Sequence, residues 1–171
     1  MVEAAHKRLR EAEYFLRSAR EYGIKRFHRS PEEMEYLVNA FLNAARGVQN
    51  AARHSEGAAF KHWYSTWESS LSDDERLLLV SMIDKRNEVT HAGESNSAWD
   101  MEWVPSSRLP VNRDGGYAIV LALPGIAESA IGIRVTYFEI GATTLEAVEC
   151  CSQYFDLMVR LLADYELSTQ P

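Results

Sequence analysis

The chain has 171 residues, 46% of them hydrophobic and 25% charged, which is enough for one domain with a sizeable core and too little for a second full one. Its net charge of −7 argues against binding nucleic acid through the average field, because phosphate affinity comes from local lysines and arginines. Such a local site has one candidate place: residues 1–30 carry 8 Lys/Arg against 4 Asp/Glu, while the remainder carries 10 against 21.

The longest apolar run, Ala118 to Ala127, is interrupted by Pro124-Gly125 and falls short of the ~20 residues a membrane helix needs. Charges are interleaved through the first residues, unlike the apolar centre of a signal peptide. Cys150 and Cys151 are adjacent and are the only cysteines, so a disulfide framework is excluded and a cytoplasmic, reducing compartment is favoured. No membrane partner is expected.

Helical periodicity governs the first half. Leu9, Ala12, Phe15, Leu16, Ala19 and Tyr22 recur at three- and four-residue steps up to Gly23, predicting a helix over about 3–23. Ser30-Pro31-Glu32-Glu33 is a capping box with proline at the first helical position. Behind it, Met34, Leu37, Val38, Phe41, Leu42, Ala45 and Val48 form an apolar stripe, predicting a helix over about 31–53. An aromatic segment leads to a second capping box, Ser72-Asp73-Asp74-Glu75. The helix it opens spans about 73–91 and stops at Gly93.

After Gly93 the period falls to two. Trp99, Met101 and Trp103 alternate with Asp100, Glu102 and Val104, Tyr117–Leu123 reads as a buried strand, and Ile131, Ile133, Val135 and Tyr137 alternate in a third. A last helix, about 143–166, puts Leu145, Val148, Phe155, Met158, Val159 and Leu162 on one face. The expected fold is mainly α, within α+β. A single domain, 1–171, forms a helical bundle with a small three-stranded antiparallel sheet, about 99–140, inserted before the last helix.

Chemistry concentrates in Asp84-Lys85-Arg86-Asn87-Glu88-Val89-Thr90-His91. Asn87 and His91, four apart, share a helix face, whereas Arg86 and His91 stand about 140° apart on an ideal helix. Convergence requires a groove wrapping the helix end, or unwinding of the last turn at Ala92-Gly93. The bland alternative is that Lys85, Arg86 and His91 complement the helix dipole.

Arg86-Asn87-x-x-x-His91 at the end of a bundle helix resembles the motif of the HEPN superfamily (higher eukaryotes and prokaryotes nucleotide-binding). The preceding helix with Phe41 to Val48, FLNAARGV, and the final helix beginning Thr144-Leu145-Glu146 resemble the helices around that motif. The resemblance covers roughly 5–93 and 143–166. It implies a homodimer whose two motif helices face each other across a cleft. It also implies an RNA substrate and metal-independent endoribonuclease activity of toxin or phage-defence type, with an antitoxin or other regulatory protein as partner. His91 would act on the ribose 2′-hydroxyl or the leaving 5′-oxygen, Arg86 would hold the scissile phosphate and Asn87 would orient the groups around it. No cofactor and no metal are implied. The position two after His91, often Tyr in toxin-type members, is Gly93 here. Two alternatives stay open: an inactive nucleotide- or partner-binding module, and a structural dimerisation domain.

The chemistry suits these residue types. RNA carries its own nucleophile, so the enzyme needs a proton acceptor poised near neutrality, and an ordinary histidine at about 6.5 fits. A guanidinium fork matches the oxygens of a phosphorane better than a lysine does.

Elsewhere, His54, Lys61, His62, Trp63, Tyr64 and Trp67 could stack a base but read better as a packing segment. Asp73, Asp74 and Glu75 read as a helix cap, and Cys150 and Cys151 as core. Gly141-Ala142-Thr143-Thr144 lacks the lysine of a phosphate loop. His6 and His28 have no evident partners.

Overall fold

The computed structural model describes residues 2–24, 31–92, 98–105, 130–140 and 143–170. Within them the chain forms four helices, α1 (Glu3–Ile24), α2 (Pro31–Ser70), α3 (Asp73–Ala92) and α4 (Ala147–Ser168). Three strands, β1 (Ala98–Pro105), β2 (Ala130–Ile140) and β3 (Thr143–Glu146), precede α4. The molecule is mainly helical with a small antiparallel sheet. Tyr117–Leu123, expected as a strand, and Ser30 of the first capping box lie outside the described residues.

The apolar stripes of α1 and α2 meet in the most extensive helix pairing of the fold. Ala5, Ala12 and Leu16 of α1 are buried with Val38, Phe41, Leu42, Ala45, Val48 and Ala52 of α2. The alanines let the backbones approach closely. Helix α4 closes the bundle against both.

Helix α2 runs past the expected end near residue 53. Its only break is Gly57, at φ 60° and ψ −128°, a conformation open essentially to glycine. Beyond the break, Phe60, Tyr64 and Trp67 are buried and form an aromatic cluster with Trp63 and with Tyr165 of α4. Phe60 and Trp63 each meet Tyr165 edge-on, with ring centroids 5.0 Å apart.

Helix α3 buries Leu78, Leu79 and Met82, while Leu77 and Val80 are 44% and 46% exposed. Lys85, one residue before Arg86, is only 8% exposed, and its Nζ lies 3.4 Å from Glu88 Oε2. Lys85 therefore lies on the inward face of α3 with Leu78, Leu79 and Met82, its ammonium beside Glu88 of the same helix.

Two expectations change around the sheet. First, Thr143–Glu146 is not the first turn of the last helix. It pairs with the end of β2, Ile140 against Thr143 and Tyr137 against Glu146, and β-branched threonines suit a strand. Second, the buried face of α4 is Ala147, Cys150, Cys151, Tyr154, Leu157, Met158, Leu161, Leu162 and Tyr165. Val159 is exposed and Phe155 only partly buried, while Met158 and Leu162 of the expected stripe and the two cysteines, read as core, are buried. Among the described side chains of β2, Phe138 and Ile140 are buried and Tyr137, next to Phe138 in the strand, is partly exposed. Strand β1 lies where the alternation predicts it, antiparallel to β2 from Ala98 against Tyr137 to Pro105 against Ala130.

Candidate functional site

Arg86 leaves α3 toward α2. Its Nε donates to Asn43 Oδ1 at 3.1 Å and its Nη1 to Asn87 Oδ1 at 3.2 Å. Asn43 is itself oriented, because its Nδ2 donates to the Asn39 carbonyl one turn back at 3.0 Å. That turns its oxygen toward Arg86. Both acceptors are amide oxygens, and the two bonds aim the guanidinium.

Arg86 forms one end of an open groove between α1 and α2. Asn43, Gly47, Asn50, Ala51 and His54 line it from α2, Arg8, Glu11 and Phe15 from α1, over a volume of about 640 Å³. The hollow continues past Arg8 and Glu11 to Lys7, Arg10 and Ser55. Arg8 lies across Gly47: a Cβ there would sit 3.1 Å from Arg8 Cδ. Arg8 Nη1 also meets Glu11 Oε2 at 2.6 Å. Among the described lining residues, Lys7, Arg8, Arg10 and Arg86 stand against the one carboxylate of Glu11.

Of the motif residues, Arg86 and Asn87 are joined directly. His91 lies in the last turn of α3, and its side chain is outside the described residues. The helix is continuous from Arg86 through Ala92, so the last turn does not unwind before Ala92. The two positions stay about 140° apart around the axis, and Gly93 lies outside the described residues.

The remaining candidates resolve into structure. Trp63, Tyr64 and Trp67 pack in the aromatic cluster, and Trp67 Nε1 donates to Asp164 Oδ2 at 3.0 Å. Burial pushes the Tyr64 hydroxyl up to about 12; it accepts a 3.2 Å hydrogen bond from Gln49, itself oriented by Arg46. His54 separates from this segment and joins the groove, while Lys61 and His62 are exposed.

The acids at the start of α3 cap it. Ser72 N donates to Glu75 Oε2 at 2.9 Å and Glu75 N donates to Ser72 Oγ at 3.3 Å. Glu75 also accepts from Arg160 Nη1 of α4 at 2.6 Å. The Arg160 hydrogen bond, followed by that of the Ser72 backbone, holds the Glu75 carboxyl at about 2.

Cys150 and Cys151 are buried, and burial raises both thiols, Cys150 to about 11. Such thiols are protonated near neutrality and inert. His6, expected to be alone, pairs with Glu166 of α4 at 2.7 Å. His28 and Gly141-Ala142 lie outside the described residues, and Thr143-Thr144 belongs to β3. Among the described residues no group of three His, Cys, Asp or Glu is placed to hold a metal ion, and no helix is long and apolar enough to cross a membrane.

The sequence points to the first helix as a basic region, but not to its partners on α2. A faint signal existed: Asn43, Gly47, Asn50 and His54 recur at helical steps as a polar or small stripe, and Lys7, Arg8 and Arg10 carry the excess charge of the first residues. Comparison of the chain with protein-family models, curated proteins and solved structures returns no match.

Proposed function

We propose that the protein is an endoribonuclease of toxin or phage-defence type, HEPN-like in organisation and active as a homodimer. The observation that carries this reading is Arg86. Its guanidinium is oriented by two amide oxygens at the end of a cation-lined groove, the disposition needed to grip a phosphate. Arg86 would hold the scissile phosphate while Asn87 keeps the guanidinium in register. His91 would take the proton from the 2′-hydroxyl or deliver one to the leaving 5′-oxygen. The 2′-oxygen bonds to phosphorus as the bond to the 5′-oxygen breaks, leaving a 2′,3′-cyclic phosphate and a 5′-hydroxyl. The angle between Arg86 and His91 on one α3 gives the dimer its purpose: two copies of α3 facing each other would bring both residue types to one phosphate.

The same angle favours a second reading, a nucleotide- or partner-binding module in which Arg86 and the groove act without His91. Incubation with mixed RNA in EDTA separates the two. The ribonuclease reading expects cyclic-phosphate ends from the wild type, with cleavage by His91→Ala reduced roughly 10²–10⁴-fold, the range of positioned acid–base catalysis. Arg86→Ala should lose cleavage too. Wild-type protein that leaves RNA intact would transfer the assignment to the binding module. Equal cleavage by wild type and both variants would remove these residues from the site.

A further inference from the structure

Cohesion between α1 and α2 is supplied by the buried stripe of Ala5, Ala12, Leu16, Ala45, Val48 and Ala52. The groove beside that stripe shares its floor, through Ala44, Ala51 and Phe15, but carries charged and polar groups along its rim. Within an acidic chain it gathers Lys7, Arg8, Arg10 and Arg86 against one carboxylate. Arg86 stands at one end and Lys7, Arg8 and Arg10, within one turn of α1, toward the other, so they suit an extended polyanion that reaches both ends better than a compact one. From Asn43 to His54 the α2 wall runs about 16 Å at 1.5 Å per residue, long enough to follow more than one phosphate of an extended strand.

Gly47 gives the central cation its place. Without a Cβ, α2 lets the aliphatic stem of Arg8 lie against its backbone. Phe15, partly buried at the Arg86 end, offers a ring on which a base can stack. Asn43, Asn50 and His54 add neutral polar groups along the other wall.

We propose that the α1–α2 groove seats a single-stranded RNA, its backbone running from Arg86 past Arg8 toward Lys7, with a base stacked on Phe15. This rests on the ribonuclease reading, for which the groove is the path of the strand flanking the scissile phosphate. Glu11 is then a brake on affinity, since it draws on the Arg8 charge at 2.6 Å.

The test is anisotropy of a short labelled single-stranded RNA of mixed sequence, in EDTA, titrated with the His91→Ala protein over a range of salt. The double variant Lys7→Ala/Arg8→Ala in that background should bind about tenfold or more weakly at low salt. Its log–log salt slope should be shallower by about 1.4, at ~0.7 per phosphate contact on a single strand. Glu11→Gln should tighten binding, a change of sign that misfolding cannot mimic. Arg53→Ala, exposed and outside the groove, should change nothing. Unchanged binding by the double variant, an equal loss in Arg53→Ala, or absence of binding by the parent would each overturn the proposal. Wild-type cleavage with a silent groove sinks the groove alone; groove-dependent binding without cleavage sinks the ribonuclease alone.

Discussion

On one side of Gly57, α2 carries Asn43, Gly47, Asn50 and His54 into an open groove; on the other, Phe60, Trp63, Tyr64 and Trp67 lie against Tyr165. Both stretches mix basic or polar groups with ring systems close by, yet one is exposed chemistry and the other is core. The facing helix makes the difference. Helix α1 meets the first arm with Lys7, Arg8 and Glu11 beside an alanine seam. Helix α4 meets the second with Tyr165 and Asp164, which accepts the Trp67 indole. Side-chain type alone does not separate a binding wall from a packing wall.

That contrast can be broken by substitution. Phe60→Ala should cost about 3–5 kcal/mol, the range for a buried ring with the cavity it leaves, measured by denaturant unfolding. A cost below about 1 kcal/mol would mean the aromatic arm is not core. Gly57→Ala should cost about 1–3 kcal/mol although its Cβ would meet nothing within 4 Å, because the penalty is in the backbone. A neutral result would mean the break between the arms relaxes freely.

Ser72→Ala should cost about 1 kcal/mol through the lost cap. The Glu75 half of that box adds a pH dependence. Its folded value, about 2 against an ordinary 4.5, is depressed, so its contribution is present above pH 4.5 and is lost as pH falls through about 2. Glu75→Gln should therefore lower the melting temperature slightly at neutral pH and not at pH 2; an equal offset at both would remove the ionic part. Gly47→Ala should have the smallest effect on stability, a gain of up to about 1 kcal/mol from helix propensity. Yet Arg8 must shift by a few tenths of an ångström to clear the new Cβ, and RNA binding should fall. Stability and binding moving together would break the division between the two arms.

What the sequence made legible was local. The Ser72–Glu75 box, the α2 stripe from Val38 to Val48 and the strand at Trp99–Trp103 each carry their signal within a few residues. The start of α4 was misplaced because Thr143-Thr144 is decided by pairing with Glu139 and Ile140, a tertiary fact. Its buried face differs at Val159, which is exposed, and at Tyr154, which is buried; the cysteines are core as read. Arg86 and Asn87 were legible as a pair. Their setting was not, since the link to Asn43 spans two helices and the Arg8–Gly47 approach exists only once α1 docks. The angle between Arg86 and His91 was readable from the helix period, and the continuous α3 preserves it.

Lys85 has a mechanical consequence for its neighbour. Rolling α3 about its axis would drag Leu79 and Met82 toward water, at about 1.5–3 kcal/mol for each side chain fully exposed, and would carry the buried stem of Lys85 out with them. Rotation of the whole helix is therefore costly. Whatever adjustment a ligand asks of Arg86 is confined to rotation about side-chain bonds, and the site behaves as a fixed anvil with one movable jaw.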